Sequence, residues 1–224
     1  MQENSVSNQD DLRFPVRDAV QRAGLLTIVR NLRAVVRRDI GTWVARGCPS
    51  PAPNVVKMAV VRHYVETSGA KYFVETGTYL GSMVEHIAET GVECITIEID
   101  DEIHRRAVDM LKRKKNIRCL KGDSAVVLPE VLKTIDRPAV FWLDGHYSGG
   151  FTGKAEIDTP VSAELQMVLD HNVKGHIILI DDARDFTGQD GYPRLSTLLS
   201  HFEDDPDYRA EVSADIIRII PRAA

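Results

Sequence analysis

The chain has 224 residues and a formal net charge of −5, a balance that argues against a general binder of nucleic-acid phosphates. Hydrophobic residues at 43% and charged residues at 27% exclude disorder as the default and allow one α/β domain with a sizeable core. No apolar run approaches the roughly 20 residues that span a bilayer, and Met1 to Asp11 has no signal-peptide core, so a soluble cytoplasmic protein is expected.

Residues 1 to 12 are polar and aperiodic, which predicts a disordered tail. From Arg17 to Val44, Leu25, Ile28, Val29, Leu32, Val35 and Val36 recur at helical spacing against Arg30, Arg33, Arg37 and Arg38, the pattern of one or two amphipathic helices. Such a basic face either packs on the domain with its arginines reaching into water or meets an anionic surface, and it also offers a route to self-association. Cys48-Pro-Ser-Pro-Ala-Pro53 is a stiff break, so residues 1–54 read as a tail and helical extension and 55–224 as the domain. Val55 to Ser68 forms another amphipathic helix. Strands are then predicted at Tyr72 to Glu75, Cys94 to Ile99, Ile117 to Lys121, Ala139 to Leu143 and Ile177 to Ile180. Helices over Ser82 to Thr90, Asp101 to Lys114, Ala125 to Thr134 and Pro160 to Asn172 fall between them, the alternation of a parallel sheet covered on both faces. A last helix near Pro193 to Phe202 precedes Tyr208 to Val212 and Ile216 to Ile220, whose three-residue gap permits a hairpin and no parallel crossover. The three cysteines, Cys48, Cys94 and Cys119, are too scattered for a disulfide framework or a zinc site, and the last two are expected in buried strands.

The segment Tyr72-Phe-Val-Glu-Thr-Gly-Thr-Tyr-Leu-Gly-Ser82 carries the most information. A buried strand ends at Glu75 and turns through Gly77 and Gly81 into a helix, as where a backbone must pass close to a nucleotide-type ligand. One helix later Glu98 stands near the carboxyl end of the second strand, where it can accept hydrogen bonds from ribose hydroxyls. The other strands also end in acidic or small polar residues: Gly122-Asp123-Ser124, Asp144, and Asp181 with Asp182. In an open α/β sheet these ends share one crevice, although Asp123 and Ser124 also suit plain helix caps. Three carboxylates at neighbouring strand ends demand compensation, by a hard divalent ion such as Mg²⁺, by a raised pKa, or by an ion pair with Arg184. The glycine-rich stretch from Asp144 to Lys154 reads as a loop over the pocket. It fails the phosphate-loop spacing, with Ser148 in place of the first glycine and Ala155 in place of the Ser/Thr, while His146 is placed to take a proton or ligate an ion.

These residues resemble the class I S-adenosylmethionine-dependent methyltransferases, and within them the divalent-metal-dependent O-methyltransferases of the catechol type. The resemblance covers about Lys71 to Phe186. Val74-Glu-Thr-Gly-Thr-Tyr-Leu-Gly81 is similar to the family's first motif, and Ile95-Thr-Ile-Glu-Ile99 to the strand whose glutamate holds the cofactor ribose. The resemblance implies an α/β, Rossmann-like doubly wound sheet, mostly parallel, with an antiparallel C-terminal hairpin and an N-terminal helical extension. It implies S-adenosyl-L-methionine at Glu75, Thr76, Gly77, Thr78, Tyr79, Gly81, Ser82, Glu98, Ile99, Gly122, Asp123, Ser124 and Asp144, with adenine near the last glycine turn. It implies Mg²⁺ or another divalent cation on Asp144, Asp181 and Asp182, and a small-molecule hydroxyl as methyl acceptor. Tyr147 stands where catechol enzymes have a lysine; macrocin-type sugar O-methyltransferases instead combine strand-end aspartates with a histidine base, the part open to His146. A nicotinamide dehydrogenase shares the glycine turn and ribose carboxylate, but Gly77-x-x-x-Gly81 is not its G-x-G-x-x-G pattern. A cofactor-binding or interaction module without catalysis is the other alternative.

Overall fold

Strands that are apolar at successive positions cannot present a wet face, and here they form the middle of a three-layered domain. The computed structural model describes residues 39–144, 160–189 and 191–222. In chain order the elements are α1 (Asp39–Ala45), α2 (Asn54–Ser68), β1 (Tyr72–Thr76), α3 (Ser82–Ala88), β2 (Glu93–Glu98), α4 (Asp101–Leu111) and β3 (Ile117–Lys121). There follow α5 (Ser124–Leu132), β4 (Ala139–Leu143), α6 (Pro160–Asp170), β5 (Ile177–Ile180), a single 3-10 turn (Ala183–Asp185), α7 (Leu195–Ser200), β6 (Tyr208–Ser213) and β7 (Ile216–Pro221). The sheet runs β3-β2-β1-β4-β5-β7-β6. β1 to β5 pair parallel, and β7 pairs antiparallel with both β5 and β6, so the doubly wound sheet with an antiparallel finish is the observed fold.

Alternation along each strand sends side chains to two different cores. Phe73, Cys94, Val140, Trp142, Leu179 and Ile216 face Val61 and Val65 of α2, Met83, Val84 and Ile87 of α3, and Ala107 and Leu111 of α4. Val74, Ile95, Ile97, Phe141, Leu143, Ile178 and Ile180 face Leu128, Val131 and Leu132 of α5 and Val161, Leu165 and Val168 of α6. The helices are mostly a little shorter than their sequence patterns; α4, for example, ends at Leu111 and not Lys114, a normal fraying of the last turn. Of the Arg17 to Val44 pattern only the stretch from Asp39 lies within the described residues. One expectation needs correcting. Cys119 is only partly buried because β3 is the sheet edge, where Arg118 and Lys121 face outward; Cys94, on the more central β2, is buried as expected. Among the described residues no helix is long and apolar enough to cross a membrane.

At the amino ends of β4 and β5 a histidine serves the fold. His176 is fully buried, and its Nδ1 accepts the Ala139 backbone N–H at 3.1 Å, which places the ring proton on Nε2, 2.9 Å from His171 Nδ1. Protonating Nδ1 breaks the bond to Ala139. Burial, followed by the His171 charge, lowers the His176 pKa from 6.5 to about 4. As pH falls, the unfolded chain therefore takes up this proton first. The contribution is complete above pH 6.5 and is lost on descending toward pH 4, by up to about 3 kcal/mol. Urea unfolding of wild type and His176→Asn between pH 7.5 and 4.5 checks this: the variant should show a shallower loss of stability with acid than the wild type.

Candidate active site

Each strand end is tied to the next one beyond the regular ladder. Gly77 and Thr78 donate their N–H groups to the Ile97 carbonyl at 2.9 and 3.2 Å, and Gly122 donates to Glu98 at 2.9 Å. Asp144 donates to the Thr76 carbonyl at 3.1 Å, and Asp181 to Leu143 at 3.0 Å. The turns after β1, β2, β3, β4 and β5 thus begin side by side along one edge of the sheet.

The turn after β1 is left-handed at three places: Gly77 (φ 84°), Tyr79 (φ 46°) and Gly81 (φ 67°). Gly81 is fixed twice over, since a Cβ there would also lie 3.0 Å from Leu111 Cδ1 of α4. Tyr79 carries a side chain in a conformation that favours glycine, and its N–H is held by Glu98 Oε2 at 2.8 Å. Glu98 Oε1 accepts from Asp100 at 2.9 Å, so one carboxylate clasps the turns after β1 and β2. Each oxygen keeps further lone-pair capacity for a hydroxyl. Asp100 caps α4 through Glu102 and Ile103, and Asp123 caps α5 through Ala125, so the capping reading of Asp123 holds. Ser82 opens α3 directly after Gly81, and Ser124 opens α5.

Burial sorts the other expected cofactor contacts. Glu75, Thr76 and Thr78 lie beneath the surface, whereas Tyr79 and Ile99 are 56% and 61% exposed, an apolar surface unusual at a sheet edge. Glu75 accepts from Thr96 Oγ1 at 2.6 Å, and Thr96 and Thr78 share a 2.6 Å hydroxyl contact. Burial first, then the charges of Asp144 and Glu98, push the Glu75 carboxyl well above the usual carboxylate range, against the pull of the Thr96 bond. It belongs to the floor of the site, and the turn above it presents backbone.

Among the buried residues absent from the expected set, two stand out. Glu164 of α6 is fully buried; Thr76 Oγ1 donates to its Oε2 at 3.0 Å, and its Oε1 has no partner among the described residues. Burial raises its pKa, opposed by hydrogen bonds from Ser124 and Thr76. Glu164 ties α6 to the end of β1. Lys57 of α2 is the second, 8% exposed, with Nζ 2.5 Å from Asp181 Oδ1 and 2.6 Å from Asp182 Oδ1. Burial pulls the Lys57 pKa down, but the bonds and charges of both aspartates more than offset it, and the ammonium is retained. Arg184 Nη1 lies 2.5 Å from Asp182 Oδ1 and also pairs with Asp215, which accepts the Arg184 backbone N–H at 3.0 Å.

Of the compensations expected for these aspartates, the Arg184 ion pair is present on Asp182, and a lysine distant in sequence adds to it. The cation comes from α2, 125 residues earlier in the chain than Asp182. Among the described residues no group of three His, Cys, Asp or Glu is arranged to hold a metal ion. Asp181 and Asp182 each turn one oxygen toward Lys57, and the pair as folded holds a cation of the chain itself, an arrangement that does not fit Mg²⁺, which requires several oxygens at about 2.0 to 2.1 Å around a single point. His146 and Tyr147 lie outside the described residues.

No protein-family model matches the sequence, and neither does any curated protein. Solved structures match it in fold. An O-methyltransferase from Bacillus cereus in complex with SAH is 14% identical, aligned over 87% of this chain and 97% of that one, with a TM-score of 0.58. The O-methyltransferase TomG from Streptomyces achromogenes, involved in tomaymycin synthesis and bound to SAM, is 13% identical over 84% and 89%, with a TM-score of 0.53. The 23S rRNA methyltransferase ErmE is 18% identical over 77% and 70%, with a TM-score of 0.51. The chain has the class I methyltransferase fold, as its motifs implied.

The clasp makes a prediction about stability. Glu98→Ala leaves the N–H groups of Tyr79 and Asp100 without their acceptor in part-buried turns, and should cost about 1 kcal/mol. Urea denaturation of the full chain measures the loss; a midpoint equal to that of the wild type would show that neither turn depends on the carboxylate.

Proposed function

We propose that this chain is a methyltransferase that binds S-adenosylmethionine over the carboxyl ends of β1, β2 and β3 and methylates a hydroxyl oxygen of a small molecule. One observation carries the reading: the left-handed turn through Gly77, Tyr79 and Gly81 clasped to Glu98, in a sheet of this strand order. The cofactor supplies a methyl group on a sulfonium, whose transfer breaks one C–S bond and forms one C–O bond.

The chain's own residues bind and orient. Glu98 accepts from the ribose hydroxyls with the lone pairs that the Tyr79 and Asp100 N–H groups leave over. Gly77 lets the backbone approach the cofactor closely, and the exposed Ile99 offers a face for the adenine, with Gly122, Asp123 and Ser124 at its other edge. Asp144, tied to the end of β1 through the Thr76 carbonyl, borders the place where methyl donor and acceptor must be aligned. His146 takes the acceptor's proton in this reading. ErmE, a 23S rRNA methyltransferase, shares the fold, so the small-molecule acceptor rests on the O-methyltransferase neighbours and on the acidic charge of this chain. Three free cysteines suit a reducing cytoplasm.

Calorimetry with S-adenosylhomocysteine and with NAD tests the reading. Saturable binding of the first at one per chain and no heat from the second are expected. Gly77→Val, which puts a β-branched side chain at φ 84°, should weaken binding about tenfold or more. A wild type that binds NAD and not S-adenosylhomocysteine overturns the proposal.

A further inference from the structure

In most of α2 the buried positions are apolar, and the exception is the one that reaches the site. Lys57, Val61 and Val65 form the inward stripe at a spacing of four, so the lysine stem is packed where an aliphatic residue is usual and its ammonium emerges at the ends of β4 and β5. There it meets Asp181 and Asp182 through one oxygen of each. Asp181 also accepts the Asp182 N–H at 2.8 Å, which holds the carboxylate across its own turn. Asp182 sits at φ 53°, a left-handed conformation that turns the two successive carboxylates toward the same cation. Arg184, with Asp215 behind it, meets the same Asp182 oxygen as Lys57.

We propose that the Lys57 ammonium is the resident cation of this site, seated between Asp181 and Asp182 where the catechol-type resemblance would put a divalent ion, so that the protein binds its cofactor and works without a metal. This rests on the methyltransferase reading for the identity of the cofactor, but the cation itself can be tested independently. An ammonium gives up charge and keeps permanence: it is attached to the chain and cannot be removed by a chelator. Asp182 Oδ1 already carries two cationic groups, Lys57 at 2.6 Å and Arg184 at 2.5 Å, and Asp181 Oδ1 carries Lys57 at 2.5 Å, so a divalent ion on these oxygens would meet the repulsion of both side chains and would have to displace Lys57. Lys57 acts here as a positioning residue. It fixes the end of β5, whose Asp181 N–H is bonded to β4 immediately before Asp144.

The experiment compares wild type with Lys57→Met, which keeps the packed stem and removes the charge. Thermal melting and S-adenosylhomocysteine titration of the full chain are each run in EDTA and in Mg²⁺ or Mn²⁺. For the wild type, melting temperature and affinity should be the same in all of these. Lys57→Met should melt lower in EDTA and be rescued by Mn²⁺, by about 5 to 10 °C at a hundredfold excess over its dissociation constant, while Lys57→Met combined with Asp181→Asn should not be rescued. Should Lys57→Met not fold, direct titration of the wild type with Mn²⁺ decides: no saturable binding supports the proposal, and one ion per chain overturns it. A wild type destabilised by EDTA, or a folded Lys57→Met indifferent to every cation, also overturns it. A wild type that fails to bind S-adenosylhomocysteine under all conditions counts against the methyltransferase reading and leaves the metal comparison to be read from melting alone.

Discussion

Carboxylates gathered at one edge of a parallel sheet repel one another unless each is given donors or a cation, and most of the site's architecture answers that demand. Glu98 is satisfied by two backbone N–H groups, Glu75 by a threonine hydroxyl and a raised pKa, and Asp181, Asp182 and Asp215 by one lysine and one arginine. The three solutions differ in what they leave available. Backbone donors leave lone pairs over, which suits a ligand-binding acid. A raised pKa disfavours the charge, which suits a floor. Ion pairing ties an oxygen of each aspartate to a cation of the chain, which suits a strut.

That division separates the two halves of the crevice. Around β1, β2 and β3 the turns are held by main-chain bonds and expose Tyr79 and Ile99. Around β4 and β5 the main-chain bonds of Asp144 and Asp181 are joined by ion pairs, from Lys57 of α2 and from Arg184, which is itself paired with Asp215 in the hairpin turn. Tyr192 belongs to this second half. Burial, and after it the charges of Asp185, Asp182, Asp144 and Glu164, push its phenol pKa up.

The sheet and most of its helices could be read from the chain because continuous apolar runs such as Ala139–Leu143 and Ile177–Ile180 permit little else, and because the glycine turn sits between two of them. The placement of Glu98 followed from the same regularity. What was not legible was long-range pairing. Lys57 and Glu164 each occupy a position on an otherwise apolar helical stripe, Lys57 with Val61 and Val65, Glu164 with Val161, Leu165 and Val168. A charged residue on such a stripe is a signal in itself, but it names no partner, since periodicity reports which face is inward and not what that face meets. Cys119 shows the complementary failure: an apolar run reads as buried whether its strand is central or at the edge.

The position of β7 has a consequence for the order in which the protein can be made. β7 is the last strand in the sequence, yet it lies between β5 and β6 and its hairpin turn supplies the Asp215 that anchors Arg184. During vectorial synthesis the parallel strands, α2 and the aspartate pair all emerge before the element that covers the β5 edge and braces Asp182. A nascent chain at that stage has an open apolar strand edge and an unfinished charge cluster, so the hairpin works as a closing step that completes the sheet and the site together.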